Sequence, residues 1–328
     1  MRDGRRAFDE LLDQMSENVR RAFIAAIESI RSTAKLREIE EHLKTGDVDA
    51  VLQALNLQPE YFAGVRDAID DAFGKGGQLQ VSLATSLSAI PFNRRHWAAE
   101  EWAQTNGSRF IVEITESTRE GIREAVVAGL QQGTGPGPLA RQIVGTLNAS
   151  TRKREGGILG LTGQQAAWVM NARRDLEDLD PAYFERNARD RRHDATVRKA
   201  IKAGKPLAKA DIDRIIRRYS DGLLAYRGGI VARTEAHQAL NAGRMEAMRQ
   251  TAENAGIPLS RIEMKWQATK DLRTRDTHRL MGGQTVQFGG TFVSPRGAVM
   301  GFPGDTSRGA PASEVAACRC TISFEIKR

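Results

Sequence analysis

The C-terminal stretch Cys320-Thr321-Ile322-Ser323-Phe324-Glu325-Ile326 sets Ile322, Phe324 and Ile326 on alternate positions, with Thr321, Ser323 and Glu325 between them. A period of two puts the apolar set on one face and the polar set on the other, as in a half-buried strand. Upstream of it, β-prone runs recur at 262–268, 285–288 and 291–293, and glycine is frequent after Pro258. No proline interrupts 207–257, and a helix is expected over 223–255. These parts predict a small α+β domain over 223–328. The helix is its spine, and a short antiparallel sheet contains the final strand.

The rest of the chain reads as helical. Prolines are also absent from 1–58 and 92–135. In the first of these, Phe8, Leu11, Leu12, Met15, Val19, Phe23, Ile27 and Ile30 recur at helical spacing, so one long amphipathic helix is expected. Residues 74–93 read as a loop or short strand. There Gly74, Gly76 and Gly77 precede the weakly alternating Leu79-Gln80-Val81-Ser82-Leu83. A second helical block starts near Arg94, and Ser117-Thr118-Arg119-Glu120 has capping-box spacing within it. The breaker cluster at 133–138 ends it, with Pro138 opening a short helix. Residues 148–157 read as a loop. Thr162 to Gln165 is another capping box, opening a helix with Ala166, Val169, Met170 and Leu176 inside. The chain therefore divides into a helical region 1–93, a helical middle region 94–222 and the α+β domain 223–328.

At 328 residues, with 40% hydrophobic and 27% charged side chains, the chain can bury a core and is not expected to be disordered. Its apolar runs fall far short of the ~20 residues a membrane helix needs, so no membrane association is expected. The first residues, Met1-Arg2-Asp3-Gly4, lead into no apolar block, and no export leader is expected. Two cysteines one residue apart make no disulfide framework, which points to a reducing compartment.

The net charge of +8 is uneven. Residues 1–181 hold 22 basic and 26 acidic groups, whereas 182–219 hold 12 basic and 5 acidic. This basic segment, read as one or two helices broken at Gly204 and Pro206, favours a polyanion. Arg186, Arg189, Arg191, Arg192, Arg198, Lys199 and Lys202 are its candidate DNA contacts. The other reading is a solvated face, on which Glu185, Asp190, Asp194, Asp211 and Asp213 use up the charge in local pairs.

Three groups of residues could carry chemistry. Arg233, His237, Asn241 and Arg244 fall on one helix face, with Glu235 pointing elsewhere. They could bind an anion, or form an interior polar network. Asp271, Arg273, Arg275, Asp276 and His278 crowd one turn, which could hold phosphate or satisfy itself with ion pairs. Cys318 and Cys320 could join Asp276 and His278 around a zinc ion, or be two reduced core thiols. No P-loop, G-x-S-x-G, H-E-x-x-H or Rossmann glycine pattern occurs, so no catalytic residue is assigned. A metal-dependent hydrolase or nuclease acting on DNA, built from His237, His278, Asp271 or Asp276, is the alternative.

The order of motifs in the C-terminal half resembles the phage Mu protein F-like family of minor head, or head-morphogenesis, proteins. It runs Arg233-Thr234-Glu235, Asn241 and Gly243, Lys265-Trp266-x-Ala268-Thr269, Asp271-x-Arg273-Thr274-Arg275-x-x-His278, Gly282-Gly283-Gln284, Phe302-Pro303-Gly304-Asp305, Glu314-Val315 and Cys318-Arg319-Cys320. Upstream, Trp102, Thr118-Arg119, Gly129-Leu130 and Gly160-Leu161-Thr162 are similar to the helical half of that family. The resemblance implies a low-copy virion protein. It would join procapsid assembly in the host cytoplasm, associate with the portal protein, scaffold or major capsid protein, and lie inside the capsid near double-stranded DNA. It implies no cofactor. Many relatives carry a histidine shortly before the final C-x-C, where this chain has Ala316-Ala317. Residues 1–93 carry no motif of the family, and contact with portal or scaffold is the expectation for them.

Overall fold

The computed structural model describes residues 2–84 and 90–327. The fold is α+β and mostly helical, with small antiparallel sheets near the C-terminus. Helices α1 (Arg2–Thr33), α2 (Leu36–Thr45), α3 (Val48–Leu55), α4 (Ala63–Leu83), α5 (Trp97–Gln131) and α6 (Pro136–Val144) come first. A two-stranded hairpin follows, β1 (Thr146–Leu147) with β2 (Arg154–Glu155), and then α7 (Gly163–Glu177), α8 (Asp194–Ala203) and α9 (Lys209–Asn254). The C-terminal part holds β3 (Ile262–Gln267), α10 (Asp276–Met281), β4 (Thr285–Gln287), β5 (Phe292–Val293), β6 (Val299–Met300), α11 (Ala312–Val315) and β7 (Thr321–Ile326).

The chain forms two compact units, neither contiguous in sequence. One comprises Met1–Ala22, Gly64–Arg109 and Gly229–Arg328, and the other Phe23–Ala63 and Phe110–Gly228. Helices α1, α5 and α9 each supply residues to both.

In the first unit the main sheet has the order β4-β3-β7, all antiparallel. The register pairs Met264 with Phe324 and Trp266 with Ile322. Ile262, Met264 and Trp266 are fully buried, as the alternation along β3 requires. Trp266, Met281, Phe292, Met300, Cys318, Cys320 and Ile322 form the core beneath the sheet. The hairpin of β5 with β6 brings in Phe292 and Met300, which face each other in register.

In the second unit, buried arginines hold the glycine-containing loop before α7. Arg227 donates to the Gly160 carbonyl at 2.6 Å and to the Ser117 hydroxyl. Arg31 donates to the Leu159 carbonyl at 3.4 Å. Both halves of the expected capping box at Thr162 and Gln165 are formed at the start of α7.

Several elements differ from the sequence reading. Residues 74–83 are not a loop or strand but the second half of α4, and 85–89 lie outside the described residues. The glycines there mark close packing rather than a break. A Cβ on Gly76 would sit 2.2 Å from the Leu240 carbonyl oxygen of α9. Across the crossing, a Cβ on Gly243 would sit 2.0 Å from the Phe73 carbonyl oxygen. The two helices meet backbone to backbone, which only glycine permits. Ser117 and Thr118 cap nothing, because α5 runs through them. Their hydroxyls bond back to the Ile114 carbonyl at 3.2 and 2.7 Å, an alternative open to any mid-helix hydroxyl. Helix α9 begins at Lys209, not 223, because Ile212, Ile215, Ile216, Tyr219 and Leu223 continue its buried stripe.

The α4–α9 crossing generates a test. Gly243→Ala should destabilise the protein by about 3 kcal/mol, the upper range for overpacking, because carbonyl oxygen rather than a flexible side chain blocks the methyl group. Gly64→Ala in the same α4, where a Cβ meets nothing within 4 Å, should change stability by less than about 1 kcal/mol. Urea unfolding midpoints of the two variants compare them directly.

Candidate functional site

Helix α9 turns His237, Asn241 and Arg244 inward at spacings of four and three residues, and each is at least 95% buried. Their partners lie at the start of β7. His237 Nε2 is 2.5 Å from the Cys320 carbonyl oxygen. The Asn241 amide donates to the carbonyls of Pro303 at 3.2 Å and Cys320 at 3.4 Å, and the Thr321 hydroxyl donates to Asn241 Oδ1 at 2.9 Å. Arg244 donates to the Thr321 hydroxyl and to Gln80 of α4, at 3.0 Å from Nη2. Its guanidinium also lies over the Phe8 and Phe324 rings. Burial lowers Arg244 to about 10, so it stays charged at neutral pH. Gly304, at φ +89°, leaves room for the imidazole, since a Cβ there would sit 2.6 Å from His237 Nδ1. Arg233 is not in this network. It pairs with Asp13 of α1 at 2.9 Å, on the partly exposed side. Glu235 is buried on another face of α9.

The turn at 268–275 is held from several sides. Asp271 accepts two bonds from the Arg319 guanidinium, one from the Arg273 N–H at 3.0 Å and one from the Thr274 hydroxyl at 3.1 Å. The Arg319 bonds hold its carboxyl well below the usual carboxylate range. The Arg273 side chain is exposed, so Asp271 joins that residue through its backbone only. Arg5 of α1 ties the turn down, donating to Thr269 Oγ1 and to the Arg319 carbonyl, both at 2.7 Å.

Beside this turn, α10 buries Thr277, His278 and Met281. The His278 ring packs edge-on against Trp266, centroids 5.3 Å apart. Its Nδ1 is 3.4 Å from Cys318 Sγ and 3.5 Å from Cys320 Sγ, and the three atoms lie within 4.8 Å of one another. The thiols precede β7 instead of alternating along it, and the bend between them lets the Cys320 N–H donate to Cys318 Sγ at 3.4 Å. On the other edge of the ring, Glu314 Oε2 is 3.0 Å from Nε2 and accepts the Thr277 hydroxyl at 3.0 Å. Burial pushes the Cys318 thiol up. The hydrogen bond from Cys318, and then that from His278, draw Cys320 well below its ordinary value. Asp276 is not among the converging atoms: its side chain is 85% exposed and pairs with Arg279.

In the basic segment, Arg186 pairs with Asp175 and Arg189 with Asp194, both largely buried. Arg192 pairs with Asp190, and Arg198 with Asp194 while lying over the Phe184 ring. Arg191, Lys199 and Lys202 are exposed and make no ion pair among the described residues. The acidic residues thus take up four of the seven candidate cations. Sequence reasoning did not single out Arg5, Gln80 or Thr321, which lie far from their partners along the chain. Glu314 was visible only as part of a motif, with nothing to tie it to His278.

The geometry sits within a recognisable stretch of sequence. Residues 193–323, from within the basic segment into β7, match the phage Mu protein F like protein family. Among individual proteins, the chain is similar to minor head protein GP7 of Bacillus phage SPP1, 32% identical over 97 residues. That similarity covers 30% of this chain and 29% of the phage protein, so the chain spans under a third of that relative. No solved structure matches it.

His237 makes stability depend on pH. Burial lowers it to about 4, so the folded state holds a neutral imidazole while the unfolded chain protonates near 6.5. The protein is unaffected by this group above about pH 7 and loses stability as pH falls through 6.5 toward 4. Between pH 7 and pH 5 the loss is on the order of 2 kcal/mol. Urea unfolding across that range should show it, and His237→Gln should flatten the slope.

Proposed function

We propose that this chain is a minor head protein of a tailed phage or prophage. It acts in head morphogenesis, is present in few copies, associates with the portal inside the capsid and contacts DNA without sequence preference. The observation that carries this reading is the match of residues 193–323 to the Mu F-like family, with a named minor head protein among the similar sequences. The geometry supports a non-enzymatic role. His237, Asn241 and Arg244 spend their hydrogen bonds on backbone and hydroxyl groups of the same unit. A nuclease would have to present its donors to a phosphodiester, whereas His278, Cys318 and Cys320 are each 1% exposed. Quantitative mass spectrometry of purified particles should find a few copies per portal ring. Absence from particles and procapsids would overturn the assignment.

The DNA contact is assigned to Arg191, Lys199 and Lys202, the exposed candidates without a carboxylate partner. Each phosphate neutralised contributes about 0.9 to the slope of log K against log salt. The triple variant Arg191→Gln, Lys199→Gln, Lys202→Gln should therefore flatten that slope by about 3 while leaving the unfolding midpoint in place. Arg189→Gln should instead lower stability, because it removes two hydrogen bonds to the buried Asp194 carboxylate and leaves it only the longer Arg198 contact at 3.5 Å. An unchanged salt slope in the triple variant would contradict the contact.

A further inference from the structure

We propose that Cys318 Sγ, Cys320 Sγ and His278 Nδ1 bind a structural zinc ion, with Glu314 as the residue that positions the imidazole. This goes beyond the head-protein reading and does not depend on it. Three features of the cluster carry it. The first is distance. Zinc–sulfur bonds of about 2.3 Å and zinc–nitrogen bonds of about 2.05 Å at a tetrahedral angle place sulfur and nitrogen about 3.5 Å apart. The observed separations are 3.4 and 3.5 Å. The second is valence. Nδ1 can make one hydrogen bond to sulfur, whether it donates or accepts, yet two sulfurs converge on it. One cation between the three atoms satisfies all of them at once.

The third feature is the surroundings. The Cys320 N–H points at Cys318 Sγ, the arrangement that supports a bound thiolate. Glu314 Oε2 lies 3.0 Å from Nε2, on the ring edge away from the sulfurs, within ion-pair distance though not aligned as a hydrogen bond, so a small turn of the ring completes it. A carboxylate behind a ligating histidine fixes the tautomer with Nδ1 free for metal. Glu314 is 1% exposed, and its Oε1 has no hydrogen-bond partner among the described residues. A buried carboxylate of this kind is better tolerated beside a cation. Two sulfurs and one imidazole select zinc over magnesium or calcium, which prefer oxygen. The three protein donors leave one tetrahedral position for a fourth ligand. Metal binding takes both sulfurs as thiolates, so whatever protons remain on them leave to solvent.

The test uses the full-length chain, purified without added metal and under reducing conditions. Elemental analysis should give about one zinc per chain. Replacement with Co²⁺ should produce tetrahedral d–d bands and a sulfur-to-cobalt charge-transfer band for two thiolates. Glu314→Gln should keep the stoichiometry but weaken zinc about 10-fold or more in competition with a chromophoric chelator. Cys320→Ser should lose the ion or halve the charge-transfer band. Should that variant fail to fold, the cobalt spectrum of the wild-type chain still decides. Wild-type protein with free thiols, no zinc and no cobalt bands would overturn the proposal, as would a mass 2 Da low, showing a Cys318–Cys320 disulfide.

Discussion

At the start of β7 the carbonyl oxygen of Cys320 lies 2.5 Å from His237 Nε2 and 3.4 Å from Asn241 Nδ2, out of reach of water. A buried carbonyl left without a donor costs about 1–3 kcal/mol, and the same holds for the carbonyl of Pro303 and the hydroxyl of Thr321. All three find partners on α9, and each of them bonds to the Asn241 amide side chain. Together they amount to a large fraction of the ~5–15 kcal/mol that separates folded from unfolded protein. The bonds also fix direction. With its carbonyl turned toward α9, Cys320 carries its thiol to His278. The polar network and the sulfur cluster are therefore two sides of one short segment, and disturbing one moves the other.

Buried arginine without a carboxylate partner among the described residues occurs at Arg244 and Arg227. Arg244 bonds to an amide oxygen and a hydroxyl and lies over two aromatic rings. Arg227 bonds to a carbonyl and a hydroxyl, and burial lowers it to about 10. Both remain cations at neutral pH. The guanidinium can be buried this way because its charge is diffuse and its donors fan out in a plane, so several neutral acceptors share the load. In each case one side chain joins elements far apart in sequence: Arg227 ties α9 to the loop before α7 and to α5, and Arg244 ties α9 to β7 and α4.

Much of the fold was legible because local periodicity and burial agree. Phe8, Leu12, Met15, Val19, Phe23, Ile27 and Ile30 of α1 are all buried, and β3 was visible as a β-prone run and β7 as an alternating one. The failures have physical causes. The glycines of α4 read as punctuation, but they are the price of bringing α9 within backbone distance, and a crossing partner at Leu240, 164 residues after Gly76, leaves no local trace. The hydroxyls of Ser117 and Thr118 have the spacing of a cap and bond instead to the preceding turn. For the site, spacing singled out His278, Cys318 and Cys320 but also brought in Asp276, since residues two apart look equivalent on a strand. On the short helix α10 they are not: Asp276 faces solvent and His278 the core. Glu314, on another helix, takes up the edge of the ring that spacing could not assign.

The central claim is that the α9 polar network holds the sheet in register through the Cys320–Thr321 segment. Native-state hydrogen exchange on Asn241→Leu tests it most directly. This substitution keeps the side chain's bulk while removing the donor and acceptor. The account predicts at least tenfold faster exchange for the paired amides of β3 and β7 than in the wild-type chain, equivalent to about 1.4 kcal/mol. Unchanged protection in those two strands would contradict it.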